Sequence, residues 1–179
     1  MPDTWFISDT HFFHESIITS KGENGQPLRP AFRDAKEMNA MLFWAWNDTV
    51  KPQDTVYHLG DVAYHESSPE ALDLLLSGLN GHKHLLLGNH DDPKRLAPHF
   101  ETIQLWKKFP DHGFFASHIP LPKSEFRGVD YQVHGHLHDK DLADPAYINL
   151  CVERHAYAPV HMDTVLAMIG ASAKIRELA

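Results

Sequence analysis

Three short apolar runs alternate with two helical segments over residues 5–90, and this order limits the fold more than any other feature of the chain. Trp5-Phe6-Ile7-Ser8, Val56-Tyr57-His58-Leu59 and His84-Leu85-Leu86-Leu87 read as strands. Between the first two, Asp34 followed by Glu37 makes an N-cap and capping-box pattern. Met38, Met41, Leu42, Ala45 and Thr49 then recur at helical spacing. Before the third run, Ser68 and Pro69 fit the N-cap and first position of a second helix. Its apolar face is Ala71, Leu72, Leu75, Leu76 and Leu79, and Gly78 and Gly81 bracket its end. Strand–helix–strand–helix–strand order predicts an α/β unit with a mostly parallel sheet. The polar, Gly- and Pro-bearing stretch 20–33 predicts a loop.

The second half is more β-like. Phe114–Ser117, Tyr131–His134 and Tyr147–Val152 are strand candidates, and Lys123–Val129 reads as a surface loop. A last helix is expected from about Asp163, carrying Val165, Leu166, Met168 and Ile169, with Gly170 ending or interrupting it. At 179 residues the chain is expected to form a single domain over residues 1–179.

Sixteen lysines and arginines stand against 24 acids, a formal charge of -8. Broad non-specific nucleic-acid binding rests on a basic footprint and is not expected. An anionic substrate is still compatible, because bound metal ions invert the local sign. Cys151 is the only cysteine, which excludes an intramolecular disulfide and a Cys-x-x-Cys zinc site, and it reads as a small buried apolar residue. The first residues lack a signal-peptide pattern and no apolar run approaches a membrane span, so a cytoplasmic setting is expected.

The unusual entry is histidine, with 15 copies. Asp9 and His11 follow the first strand, Asp61 the second, and Asn89 and His90 the third. His118 follows the Phe114 strand, and His136 and His138 the Tyr131 strand. Ligand sites in open α/β sheets lie at the carboxyl ends of strands, so five such ends predict one metal site. Four histidines, two aspartates and an amide exceed what one tetrahedral zinc takes, and suffice for two ions if a carboxylate bridges. The mixed N/O donors predict two divalent transition-metal ions, suit Mn, Fe, Zn, Co or Ni better than Ca or Mg, and do not choose among the five.

Asp9-x-His11, Gly60-Asp61, Gly88-Asn89-His90-Asp91, His118 and Gly135-His136-x-His138 together resemble the pattern of the calcineurin-like metallophosphoesterases, in its compact bacterial or phage form. The resemblance implies a four-layer αββα sandwich of two face-to-face sheets flanked by helices. It implies Asp9, His11 and His138 at one ion, Asn89, His118 and His136 at the other, and Asp61 bridging. It further implies hydrolysis of a phosphoester by a metal-bridging hydroxide, with His90 as general acid and Asp91 orienting its ring.

Members that act on phosphoproteins carry an arginine after the Gly-Asp block, and here Val62-Ala63-Tyr64-His65-Glu66 has none. With the small size, this favours a small phosphodiester or phosphomonoester over a phosphoprotein, the diester first and a nucleotide-type substrate compatible. A non-catalytic scaffold would be expected to lack ligands, and none is missing. His14, three residues after His11, is expected either to reach substrate or to stand at the surface or behind the ligands. Arg29, Arg33 and His65 are first expected as solvated loop charges, with gripping of substrate oxygens as the functional alternative. His58 and His134 are expected to pack behind the ligands. Phe43, Trp44 and Trp46 predict core packing or a subunit contact, so a monomer and a homodimer both fit.

Overall fold

The computed structural model describes residues 2–64, 67–126 and 128–178. Two sheets meet face to face. The first holds β1 (Thr4–Ile7), β2 (Thr55–His58), β3 (His82–Leu86), β4 (Thr102–Gln104) and β9 (Val160–His161), in the order β4-β3-β2-β1-β9. Its neighbours are parallel except β9, which runs antiparallel to β1. The second holds β5 (Trp106–Phe109), β6 (Phe114–Ser117), β7 (Tyr131–His134) and β8 (Tyr147–Asn149) in sequence order, with only β5 antiparallel.

Alternation along each strand sends side chains to two cores. Ile7, Val56 and Leu85 face helices α1 (Ala35–Thr49) and α2 (Pro69–Ser77), packing with Met38, Leu42, Trp46, Leu72 and Leu76. Their neighbours Phe6 and Leu86 turn the other way and meet Phe114, Ala116, Val133 and Ile148 between the sheets. Helix α4 (Met162–Leu178) contacts β1, β8 and β9 and inserts Val165 and Ile169 into this second core. Both helix starts follow the sequence. Asp34 accepts from the Glu37 N–H, and Ser68 from that of Ala71. The Glu37 carboxylate reaches one residue beyond the cap, to the Arg33 N–H.

Several expectations need correction. Gly170 neither ends nor interrupts α4, whose hydrogen-bonded turns run through it. Strand β8 stops at Asn149, and Cys151 adds only an isolated bridge to Ser8 that ties the two sheets together. The 123–129 stretch is no mere surface loop, because Phe126 and Val129 pack on Phe115 and cover the outer face of the second sheet. That outer cover begins with a 3-10 turn, Lys123–Glu125, while α4 closes the edge shared by the sheets. The tryptophans divide. Trp46 is buried and donates to the Asn80 carbonyl, whereas Trp44 is exposed.

Candidate metal centre

The carboxyl ends of β1, β2, β3, β6 and β7 deliver their polar side chains to one rim. Two trios of ligand atoms cluster there, Asp9, His11 and His138 in one, and Asp61, His118 and His136 in the other, each within 4.8 Å. Asp61 stands between them. Its Oδ2 lies 3.5 Å from His11 Nε2 and 3.4 Å from His118 Nε2. Asn89 joins the second trio, its side-chain oxygen 3.0 Å from His118 Nε2.

The backbone bends sharply to make this rim. Asp9, His11, Asp61, His136 and His138 all have left-handed φ, between 47° and 70°. Such a conformation costs a non-glycine residue free energy and clusters at functional sites. Glycines make the necessary close approaches. A Cβ on Gly135 would collide with the Ser8 hydroxyl and the Asp9 carboxylate, and one on Gly88 with Asp61.

Several of these candidate ligands have back-side partners. Asp9 Oδ2 accepts from the Ser8 hydroxyl at 2.5 Å, the His136 N–H at 2.9 Å and the Cys151 thiol at 3.2 Å. Cys151 is therefore buried as expected, yet it serves a carboxylate rather than only an apolar core, and burial beside Asp9 pushes its thiol well up. His118 Nδ1 faces the Leu59 carbonyl at 2.9 Å, and His138 Nδ1 faces Glu153 at 3.1 Å. Such partners fix the ring and the tautomer of a metal-binding histidine.

On the open side, Asp9 Oδ1 and His11 Nε2 are buried without a hydrogen-bond partner. Burial alone would raise the Asp9 carboxyl. The facing His11 ring and the charges of His118 and His138 outweigh it and hold the group well below the usual range. A buried oxygen and a buried nitrogen left unpaired, 3.8 Å apart in an N/O donor cluster, fit a divalent transition metal.

The sequence did not single out Glu153, which follows β8 as the candidate ligands follow their strands. Its side chain is buried, and its Oε1 binds both Arg29 and His138. Arg29 in turn corrects its expectation. It is neither a solvated charge nor a substrate grip, because the guanidinium is fully buried against Glu153 and donates to the carbonyls of Asp9 and Thr10. It therefore braces the loop that carries Asp9 and His11.

Asp91 also departs from its expected place. Its carboxylate accepts from the N–H groups of Asp61, Val62 and Gly88, so it pins the Gly60 and Gly88 turns together instead of orienting the His90 ring. Burial raises its pKa. His90 is exposed at the mouth, its ring centroid 5.5 Å from that of His11.

His14 does join the centre. Its Nδ1 is 3.1 Å from His11 Nδ1, and its ring stacks on Tyr64 at 3.8 Å. Burial and the neighbouring His11 and His90 bring its pKa down to about 4, so it is neutral near pH 7. Beside it opens a polar hollow of about 320 Å³ lined by Ser16, Thr19, Arg33 and Tyr64. Arg33 stands on that hollow with its guanidinium on Glu37 at 3.1 Å. His65 lies outside the described residues. His58 packs behind the site as expected, 2.9 Å from the Thr10 hydroxyl, with burial lowering its pKa to about 3. His134 is likewise buried.

Among the described residues, no helix is long and apolar enough to cross a membrane. The chain is 30% identical, over 99% of its own length and 97% of the relative's, to an uncharacterised protein of Methanocaldococcus jannaschii. It is 35% identical to the gene 66 protein of Mycobacterium phage L5, over 68% of this chain and 56% of that one. The crystal structure of a protein of unknown function from Aquifex aeolicus superposes with a TM-score of 0.73 at 27% identity, covering 92% of this chain and 98% of the other. The calcineurin-like phosphoesterase model matches residues 3–116, and with the trios in place the chain belongs to that family.

Proposed function

We propose that the chain is a two-metal phosphohydrolase that cleaves a small phosphodiester. One observation carries the reading. Two His/Asp trios face each other across a single Asp61 oxygen, with Asp9 Oδ1 and His11 Nε2 buried and unpaired toward them. Asp9, His11 and His138 would hold one ion and Asn89, His118 and His136 the other, with Asp61 between. Manganese is the first candidate, and the donor set accepts Fe, Zn, Co or Ni. Paired divalent ions supply charge for the phosphoryl oxygens and a water acidic enough to act near neutral pH.

The chain's own groups do the rest. His90 is exposed at the mouth and not tied down by Asp91, so its ring can reach the departing oxygen and give it a proton. Its backbone N–H meanwhile donates to Asp61 Oδ1 at 2.9 Å, coupling the acid's position to the shared carboxylate. Arg29 and Glu153 hold the Asp9–His11 loop and the His138 ring in place. Neutral His14 holds the far nitrogen of His11.

The diester preference rests on charge. A monoester dianion is commonly gripped by a bidentate guanidinium. Arg29 is committed to Glu153 and the backbone, and Arg33 is paired with Glu37. A singly charged diester needs no such clamp.

The test uses metal-stripped protein reloaded with Mn2+, assayed on bis-p-nitrophenyl phosphate and on p-nitrophenyl phosphate. Diester turnover is the expected result, and turnover of the monoester alone would replace the substrate class. His90→Ala should keep its bound metal and lose roughly 10²–10⁴-fold in turnover. Loss of metal in that variant would make His90 a ligand and remove it as the acid.

A further inference from the structure

Against the Asn89–His118 side of the centre lies an apolar pocket of about 360 Å³. Leu87, Leu105, Trp106, Ile119 and Leu121 form its walls, and Asn89 and His118 close the end toward the metal ligands. Its origin is topological. Leu105 is the single residue between β4, the edge of the first sheet, and β5, the edge of the second. The chain crosses there from one sheet to the other and leaves a gap beside the carboxyl ends of β3 and β6.

Large apolar side chains stay open in this gap. Leu105 is 69% exposed, Trp106 44% and Ile119 45%. Large apolar side chains that meet at one hollow beside a polar centre suit the apolar part of a ligand. The Ser117 hydroxyl in the wall is already used, donating to the Ile119 carbonyl and accepting from the Gln132 amide. The pocket thus offers hydrophobic walls, an indole, and polar groups at one end only. Ligand sites have this composition, with few polar groups fixing the orientation of an apolar body.

We propose that this pocket receives a planar aromatic group, an aryl ring or a nucleobase, attached to the phosphoryl group held at the centre, with Trp106 and Ile119 as its specificity residues. The inference rests on the phosphoesterase reading and names the substrate class within it. The larger apolar groove between α1 and α2 shares no residue with the trios, whereas this pocket shares His118.

The experiment titrates Mn2+-loaded full-length protein calorimetrically with phenylphosphonate and methylphosphonate, which carry the same head group and are not hydrolysed. A parallel pair is adenosine 5′-monophosphate and ribose 5-phosphate. Stacking on an aromatic side chain predicts roughly 5- to 150-fold tighter binding of the aromatic member of each pair. Trp106→Ala, and separately the uncharged Ile119→Asn at a half-open position, should collapse that ratio far more than they change methylphosphonate binding. A preference in the phenyl pair alone assigns the pocket to aryl esters, and one in both pairs to nucleotides as well. Equal affinities within both pairs, with diester turnover intact, overturn the pocket assignment alone. So does a preference that both variants retain. Failure of every phosphonate to bind, together with no turnover of either chromogenic ester, overturns the phosphoesterase reading and this inference with it.

Discussion

Two buried aspartates sit at opposite ends of the same parallel strands, and their surroundings differ in kind. Asp54, at the amino end, accepts from the Asp3 N–H, the Trp5 indole and the Lys51 N–H, each at 3.0 Å. Both of its oxygens are satisfied, and it joins the starts of β1 and β2. Asp9, at the carboxyl end, has three donors on one oxygen and none on the other. Around it the backbone turns left-handed at five residues that could hold the metal. The amino end spends its polar groups on the fold. The carboxyl end withholds some of them and carries strain, as expected where binding rather than stability is selected.

Glu153→Gln attacks the brace of the carboxyl end and should have the largest effect on stability. Removing one partner of a buried ion pair costs about 3–5 kcal/mol, read as a drop in thermal midpoint. Because Glu153 also holds His138, metal affinity should fall roughly 10- to 100-fold. A stable variant with unchanged metal affinity would show that Glu153 braces nothing. Asp61→Asn should cut diester turnover more than about 100-fold, since it removes the shared ligand rather than a supporting group. Metal analysis should show fewer than two ions per chain, and full occupancy would place the bridge elsewhere. Adding Mn2+ at about 100 times its dissociation constant should stabilise the wild-type chain by about 2.7 kcal/mol. Asp9→Asn should abolish that gain, and an undiminished gain would exclude Asp9 as a ligand.

What the sequence revealed divides along the same lines. Strands that begin and end on local apolar patterns, such as Phe114–Ser117, and helices with local caps, such as those at Asp34 and Ser68, are legible because their signals lie within a few residues. Strands β4, β5 and β9 have two to four residues each, too few for a local period to announce them, and β9 exists through pairing with β1 from the other end of the chain. The trios were legible because each ligand type stands at a strand end. Their bracing was not. Arg29 meets Glu153 across 124 residues of sequence, and nothing near Arg29 distinguishes it from the exposed Arg33. Glu153 could have been found by extending the strand-end rule to the run ending at Val152. Asp91 shows the limit of motif transfer, since the residue is in place while its oxygens serve three backbone groups.

The smallest effect belongs to the amino end and isolates it from the metal. Asp54→Ala leaves three donors without their acceptor and should cost about 1–3 kcal/mol. The Mn2+-induced gain in stability should be the same as in the wild type, because no ligand touches Asp54. Acid sharpens the point. Burial alone would raise the Asp54 carboxyl, but its backbone and indole donors outweigh burial and lower its pKa in the folded chain. A carboxylate of depressed pKa stabilises fully above its unfolded value of about 3.9 and loses that contribution as pH falls through the folded value. The difference in stability between the wild type and Asp54→Ala should therefore be constant from neutrality down to about pH 4 and shrink below it. A difference that already shrinks between pH 7 and 5 would mean that histidines, not Asp54, set it, and the two ends of the sheet would then not be separable.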